Sequence, residues 1–280
     1  MSTTEIAYRR STNGPASAAG KVTAGRVLRS EWTKFWSVRS PAITLFIALV
    51  LTVGLGAIIS AVASAHFNDL SDADKASFSA IGVSLSGFTF SSLALGVLGV
   101  LVITGEYATG TIKATFTAVP KRLPVLWSKV AVTALITFVV MLVASLASFF
   151  IGQALLSNHH LDVSLSSDGA LRAVVGAALA VAAISAFGLA IGALLRNTAA
   201  SITIFVAIFF VIAPLLNLLP RSINDNVSPY MPSNAASVIF SPNPTPGPHD
   251  LGPWTGFGVF CGYTVIVLIA AAIRIRKSDA

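Results

Sequence analysis

Six long apolar stretches dominate the chain and restrict it to a helical membrane protein. A bilayer core of roughly 30 Å is crossed by about 20 helical residues, each rising about 1.5 Å. Only 10% of the residues are charged, against about 25% in a soluble domain, and the mean hydropathy is +0.82. We predict one all-α integral membrane domain, 41–280, with spans at about 41–63, 82–104, 125–152, 170–195, 199–219 and 253–273.

The lysines and arginines indicate the orientation of these spans. Of the 18 basic residues, only Lys75, Arg172 and Arg221 fall in segments predicted to lie outside the cell. The positive-inside rule therefore places both termini in the cytoplasm, and an even number of spans also puts them on one side. The loop aspartates lie on the opposite side, so the net charge of +7 reflects topology and gives no reason to expect nucleic-acid binding.

The N-terminal 40 residues divide into a tail and a helix. Residues 1–23 are rich in small polar residues and are predicted to be a disordered cytoplasmic tail. Residues 24–40 are predicted to form an amphipathic elbow helix in the membrane interface, because Leu28, Trp32, Phe35 and Trp36 share one helical face. Ser40-Pro41 is predicted to redirect the chain into the first span. A plain membrane anchor and a helix that also contacts a cytoplasmic partner are both compatible with this pattern.

No catalytic, cofactor-binding or metal site is predicted from the sequence. No charged residue lies well inside a span, which argues against an ion-coupled carrier. The segment from Gly14 to Gly20-Lys21-Val22 has the wrong spacing for a P-loop and lacks its hydroxyl residue. His159-His160 has no nearby acidic or cysteine cluster, and the single cysteine, Cys261, permits no intramolecular disulfide.

Two further patterns bear on packing and on the outer surface. Small residues recur along span four at Gly176, Ala180, Gly188 and Gly192, a spacing that lets helices approach closely. We favour packing within the chain over a dimer contact. The long segment before span six, Pro220–Phe240, is mixed polar and apolar and is compatible with short helices that dip into the outer leaflet, and a proline-rich connector follows it.

The cytoplasmic segment between spans two and three points most directly to a function. Thr109, Gly110 and Thr111 precede a short helix, near 109–118, in which Ile112 and Phe116 share one face. Pro120 is predicted to stop this helix. The sequence shows no segment that would cover this face, so we predict an exposed apolar ridge that binds a partner. Contact with the lipid surface is the alternative.

A family resemblance follows from these motifs. Gly105-Glu106-Tyr107, Gly110-Thr111-Ile112-Lys113 and Pro120-Lys121-Arg122 resemble the cytoplasmic signature of ABC-2-type permeases, the membrane subunits of many bacterial ABC exporters. The opening Leu28-Arg-Ser-Glu-Trp-Thr-Lys-Phe35 resembles actinobacterial members. Six spans, an elbow helix and a long outer loop fit the same family across nearly the whole chain.

The resemblance implies a transport subunit of the bacterial cell membrane that is not itself an enzyme. Soluble ABC ATPase subunits would bind ATP and magnesium. A second permease copy, or a related permease, would pack against this chain, and spans two and five would line the pathway between the two permeases. The short helix would couple to the ATPase through Glu106, Gly110, Thr111, Ile112 and Phe116. Glu106 would anchor the junction by charge pairing, or would be an ordinary interfacial carboxylate.

Two alternatives remain at this point. One is a carrier or channel that works without ATP, and the other is a non-transport membrane protein such as an immunity or assembly factor. A co-purifying ATPase would separate both from the permease. The substrate, the direction of transport and the choice between homodimer and heterodimer do not follow from the sequence.

Overall fold

The computed structural model describes residues 23–119, 121–216, 218, 220–241 and 251–277. Most of the predicted disordered tail (1–22), the predicted helix stop at Pro120 and most of the proline-rich connector (242–250) lie outside the described residues. The described part holds helices and turns, with no β-strand. In chain order the helices are α1 Ala24–Ser37, α2 Arg39–His66, α3 Asp72–Ala76, α4 Ala80–Ser84, α5 Phe88–Ala108, α6 Thr111–Ala118, α7 Leu123–Leu156, α8 Ala170–Leu195, α9 Thr198–Val206, α10 Ile212–Leu216, α11 Arg221–Val227, α12 Pro232–Ser237 and α13 Pro253–Lys277.

Six helical segments of the described chain are long and apolar enough to cross a membrane, as the sequence predicts. They are Arg39–Asp69, Phe88–Ala108, Leu123–His159, Ala170–Leu195, Thr198–Leu216 and Pro253–Lys277. The fifth combines α9, α10 and a π-helical turn between them, Ala207–Val211, in which the Ile212 N–H bonds to the Ala207 carbonyl.

All four tryptophans are exposed, and they mark the two ends of the bundle. Trp32, Trp36 and Trp127 lie at one end, and Trp254 lies at the other. Exposed tryptophans of this kind are typical of membrane–water interfaces. We call the first end, which carries α1 and α6, the basic end, and the second the loop end.

The elbow helix ends earlier than predicted. α1 stops at Ser37, Val38 is extended, and α2 already begins at Arg39. Pro41 lies within the first turn of α2, where its missing N–H removes no helical hydrogen bond. The change of direction therefore occurs at Val38, and the predicted break at Ser40-Pro41 is wrong by two residues.

The second predicted span, 82–104, is interrupted in the structure. α4 ends at Ser84 and α5 begins at Phe88. A Cβ on Gly87 would lie 2.4 Å from the Thr52 carbonyl oxygen, so the turn between them packs directly on α2. The Ser148 hydroxyl of α7 donates to the Ser84 carbonyl at 2.6 Å, which replaces a bond that the broken helix loses. Hydropathy alone does not mark such a break, because every residue around it is small or apolar.

α7 is the longest helix, with 34 residues, or about 51 Å. Its end farthest from α6 is fixed by Gln153. The Gln153 amide donates to the Ala80 carbonyl at 3.3 Å and to the Ser84 hydroxyl at 3.0 Å, and its oxygen accepts from the Val163 N–H at 2.8 Å. One buried amide thus ties α7 to α4 and to the following loop.

α8 is the central helix, and 83% of the residues in its most apolar stretch are buried inside the chain. A Cβ on Gly188 would lie 2.2 Å from the Gly96 carbonyl oxygen, and one on Gly192 would lie 2.7 Å from the Ile103 side chain. These contacts confirm that the small residues of span four serve packing within the chain. They let α5 approach α8 at backbone distance.

The segment 220–241 forms short helices that pack on α8 and α13. Ala235 and Ala236 are buried with Phe187, Phe209 and Phe260 in one apolar cluster, and Ile239 is 0% exposed. Arg172, in the first turn of α8, donates to the Ile239 carbonyl at 2.7 Å and to the Ser241 carbonyl at 3.0 Å. The sequence is compatible with short helices before span six, and the structure has them. The guanidinium of Arg172 pairs with backbone oxygens where this segment ends.

Candidate functional site

The basic end brings α6 against the elbow helix and α7. α5 ends at Ala108, and Gly110 adopts a left-handed conformation with φ of 73°. Glycine accepts this conformation without steric cost, and it is the usual residue just after a helix end. Gly110 therefore lets the chain leave α5 and start α6 at Thr111 within two residues.

The apolar face of α6 is covered by the chain itself. Ile112 and Phe116 are 3% and 8% exposed. They belong to one apolar cluster with Val27 of α1, Ile103 of α5, Val125 and Leu126 of α7, Leu189 and Ala193 of α8, and Ala271 and Ile275 of α13. The prediction of an exposed ridge at Ile112 and Phe116 is wrong, because the residues that cover it come from both ends of the sequence.

The outward face of α6 is small and polar. Thr111, Lys113, Ala114, Thr117 and Ala118 are exposed. The guanidinium of Arg122 lies 5.5 Å from the centre of the Phe116 ring, which closes the inner face at its edge. Any partner of α6 would therefore meet threonine, alanine and lysine side chains.

Four charged side chains meet beside α6. The ammonium of Lys129, on α7, donates to Glu31 Oε2 at 2.5 Å and to Glu106 Oε1 at 2.9 Å. The ammonium of Lys34, on α1, donates to Glu31 Oε1 at 3.0 Å, to Glu106 Oε1 at 3.3 Å and to the Thr115 hydroxyl at 3.2 Å. We call Glu31, Lys34, Glu106 and Lys129 the charge cluster.

The charge cluster is largely shielded from solvent. The side chains of Glu31 and Lys129 are each 4% exposed, that of Glu106 is 15% exposed, and that of Lys34 is 39% exposed. Two carboxylates and two ammonium groups balance one another, which buried charges require. Burial alone lowers the pKa of Lys34, but the carboxylates of Glu31 and Glu106 outweigh it and the pKa is raised.

The predicted face of the elbow helix divides into two. Leu28, Trp32 and Trp36 are 46%, 43% and 49% exposed, as expected of a helix at a membrane interface. Phe35, at the edge of that face, is 5% exposed and packs in the bundle. The side of α1 that faces the bundle also carries Glu31, 4% exposed, so the hydrophobic pattern alone does not identify it.

Sequence reasoning singled out Glu106 but missed its partners, Lys34 and Lys129, and the second carboxylate, Glu31, that the two lysines share with it. Their separations of 98 residues for Glu31–Lys129 and 23 for Glu106–Lys129 hide the pairing. A signal was present, since in the described residues Glu31 and Glu106 are the acidic side chains outside the loop end. When two isolated carboxylates lie among many cations at one end of a bundle, each is expected to pair with a lysine at that end.

The family assignment rests on a match of most of these elements. The family model described as "ABC-2 family transporter protein" matches residues 27–214, which is more than half of the chain. The chain belongs to the ABC-2 transporter family. The matched range runs from α1 to α10 and includes all four members of the charge cluster. No curated protein matches the sequence.

Membership makes this chain a multi-pass membrane permease, the membrane component of a transporter. Within the described part of this ABC-2 permease, no three histidine, cysteine, aspartate or glutamate residues come together as metal ligands would. His159 and His160 lie where α7 ends, at the loop end. The charge cluster and α6 are thus the most distinctive polar features on the permease.

Proposed function

We propose that this ABC-2 permease is the membrane subunit of an ATP-driven exporter and that α6 is its coupling helix. The observation that carries the proposal is the charge cluster beside α6. Lys34 of α1 donates to Thr115 of α6 and to Glu106 near the end of α5, and Lys129 of α7 donates to the same Glu106. Separate soluble ATPase subunits would bind ATP and magnesium and would seat α6 at the cytoplasmic face. The basic end is then the cytoplasmic end, as the distribution of basic residues predicts.

The coupling surface would be the outward face of α6. Thr111, Lys113, Ala114 and Thr117 are exposed there, and their small side chains suit a helix that fits a groove. Ile112 and Phe116 would act from the opposite face, where their burial fixes α6 to α1 and α13. Their earlier assignment as direct contacts is replaced by this supporting role.

A push on α6 would reach the spans through two routes. The apolar route runs from Ile112 and Phe116 into the cluster with α8 and α13. The polar route runs from Thr115 and Glu106 through Lys34 and Lys129 to α1 and α7. Because the apolar route is buried and the polar route ties α6 to α1 through Lys34, α6 would move as one body with the bases of these helices.

The pathway would lie between this chain and a second permease copy or a related permease. Only 17% of the residues in the most apolar stretch of the fifth span are buried within the chain, against 83% in α8. On α5, Phe90 is 55% exposed. These uncovered faces support the assignment of spans two and five to the pathway.

Affinity purification from native membranes in mild detergent, followed by mass spectrometry, tests the proposal. A P-loop ATPase should co-elute with the wild-type chain. Ala114→Glu and Thr117→Glu, on the outward face of α6, should abolish its capture while the permease keeps its elution volume. The matched control is Ala73→Glu, an exposed alanine of α3 at the loop end, which should capture the ATPase normally.

The outcomes separate the candidate functions. Normal capture by Ala114→Glu and Thr117→Glu would remove α6 as the coupling helix. Absence of any ATPase with a folded wild-type chain would overturn the exporter itself and favour a carrier, a channel or an immunity protein. Ile112→Asp and Phe116→Asp are unsuitable for this test, because a buried carboxylate there would unfold the junction.

A further inference from the structure

A cavity of about 560 Å³ lies beside the charge cluster. Side chains of α1, α5, α6 and α7 and the first turn of α2 line it. Its volume lies within the range of roughly 300–1,000 Å³ that small-molecule sites occupy. The cavity is therefore large enough for the head and part of a chain of an amphiphile.

The cavity changes from polar to apolar along its length. Glu106, Thr111 and Thr115 line one end, and Leu98 lines the other. Leu98 precedes Glu106 by eight residues on α5, which corresponds to about 12 Å along the helix. The polar end lies beside the cluster at the basic end, and the apolar end lies deeper in the bundle.

The opening of the cavity is apolar. Val38 and Leu101 line the cavity and are also 55% and 37% exposed on the surface of the chain. Val38 follows α1, whose Trp32 and Trp36 are exposed as interfacial residues are. An opening of this composition at this depth faces the acyl chains next to the headgroups.

The polar end of the cavity has an unused hydrogen-bond acceptor and no unused ammonium donor. In the described residues, Lys34 donates to three acceptors, so its ammonium is saturated. Glu106 Oε1 accepts from both lysines, but the buried Glu106 Oε2 accepts no hydrogen bond from any described group. A ligand in contact with this carboxylate would have to donate.

A second unused group lies about one helical turn deeper. Thr133 lines the cavity, is 0% exposed, and its hydroxyl has no hydrogen-bond partner among the described residues. It follows Lys129 by four residues on α7, or about 6 Å. Buried hydroxyls normally have partners, and one that faces a cavity is available to a ligand.

We propose that this cavity binds an acyl lipid whose headgroup carries a primary ammonium, as phosphatidylethanolamine does. The ammonium donates to Glu106 Oε2, the Thr133 hydroxyl donates to an ester or phosphate oxygen, and the chain lies along Leu98. The order of these three features along the cavity matches their order along the lipid. A zwitterionic head also suits a charge cluster whose own charges balance.

This inference needs no ATPase and no transport, so it stands or fails separately from the exporter proposal. The test is native mass spectrometry of the purified full-length chain, titrated with dioleoyl phosphatidylethanolamine, phosphatidylcholine or phosphatidylglycerol. The ethanolamine lipid should bind at least about tenfold more tightly than the choline lipid, since a trimethylammonium donates no hydrogen bond. Equal binding of the three lipids would overturn the proposal.

Two buried threonines of α7 give a matched pair of variants. Thr133 and Thr137 are both 0% exposed and both lack a partner in the described residues, but only Thr133 is among the residues that line the cavity. Neither Thr133→Val nor Thr137→Val removes a hydrogen bond of the described chain, so both should fold. Thr133→Val should bind the ethanolamine lipid about three- to tenfold more weakly, and Thr137→Val should bind it as the wild type does.

A third variant tests the position of the site without touching its polar groups. Leu101→Trp should obstruct the opening and reduce binding of the ethanolamine lipid at least about tenfold. Leu135→Trp, at an exposed leucine of α7 outside the cavity, is its control and should leave binding unchanged. Equal binding by Thr133→Val and Thr137→Val, or unchanged binding by Leu101→Trp, would show that the lipid lies elsewhere and would overturn the assignment.

Discussion

The two ends of the bundle each carry a short helical segment that does not cross the membrane, and they hold it by different means. At the basic end, α6 is held by side chains, through the charge cluster and the burial of Ile112 and Phe116. At the loop end, the segment 220–241 is held through backbone carbonyls by Arg172, and by small and aromatic residues. The first attachment depends on the identity of several side chains, and the second depends mainly on one arginine.

This difference predicts different responses to substitution. A side-chain junction in which each charge has two partners fails as a unit, because removing one member leaves the others buried without balance. A backbone attachment at the end of a segment opens locally, because Ser241, which carries one of the two carbonyls, is already partly exposed to water. The predictions below test this contrast.

The largest effect is expected for Lys129→Met. Glu31, 4% exposed, would lose its 2.5 Å partner and Glu106 its 2.9 Å partner. The free energy of unfolding, measured by denaturant titration in mixed micelles, should fall by about 3–5 kcal/mol. Lys113→Met, at an exposed position of α6, should stay within about 0.5 kcal/mol of the wild type.

The double variant Glu31→Gln/Lys129→Met sharpens this test. It removes one stranded charge together with its partner, and so should recover part of the loss seen with Lys129→Met alone. If the losses of unfolding free energy caused by the two single substitutions simply added in the double variant, the cluster would not be a coupled unit.

A smaller loss is expected for Phe116→Ala. The ring is 8% exposed and packs among residues of α1, α7, α8 and α13. Because its site lies at the edge of the bundle, we expect the lower end of the usual range, about 3 kcal/mol of unfolding free energy. Thr117→Ala, on the outward face of the same helix, is the control and should change the free energy of unfolding very little. A loss equal to that of Phe116→Ala would mean that any substitution in α6 destabilises the chain, whether or not the side chain is buried.

At the loop end, Arg172→Met should act locally. It removes the donors to the Ile239 and Ser241 carbonyls, and hydrogen bonds to charged groups contribute about 1.5–3 kcal/mol. Amide hydrogen exchange in 232–241 should accelerate accordingly, while exchange in α6 should not change. Arg172→Lys should restore only part of the protection, because a lysine lacks the fork that reaches both oxygens; global destabilisation by Arg172→Met would remove the contrast between the two ends.

The smallest effect concerns pH. The pKa of Lys34 is raised in the folded chain by Glu31 and Glu106, which outweigh the lowering by burial. Its contribution to stability is therefore fully present below the ordinary lysine pKa of about 10.4 and is lost as the pH rises through the higher folded value. The free energy of unfolding of the wild type, measured by denaturant titration, should decline above about pH 10.5 more than that of Lys34→Gln. The difference should be less than about 1 kcal/mol because Lys34 is partly exposed. Parallel profiles would show that Lys34 contributes nothing to the junction.

Much of this architecture follows from the sequence because membranes impose long apolar helices. Hydropathy is enough to find the six spans, and the spacing of Gly188 and Gly192 is enough to predict close packing of span four. The break between α4 and α5 is missed, since it depends on Ser148 of α7 bonding to the Ser84 carbonyl. Hydropathy cannot register a hydrogen bond between distant residues.

The candidate site is predicted only in part, for a related reason. A local pattern predicts a short helix near 109–118, two residues before the observed start of α6 at Thr111, and shows that Ile112 and Phe116 share a face. Whether that face is covered depends on Val27 and Ile275, which lie near opposite ends of the sequence. The partners of Glu106 are equally remote, so the sequence indicates a charged residue in need of pairing without saying which lysines pair with it.

α7 connects the two ends as a rigid lever. From Lys129 in the charge cluster to Gln153 at the loop end it runs about 36 Å, and no glycine or proline interrupts it from Val125 to Ile151. A rotation of about 5° at the base would displace Gln153 by about 3 Å, comparable to the length of the hydrogen bonds it makes to Ala80 and Ser84. A few degrees of tilt at one face of the membrane is thus enough to break contacts at the other, with no helix needing to bend.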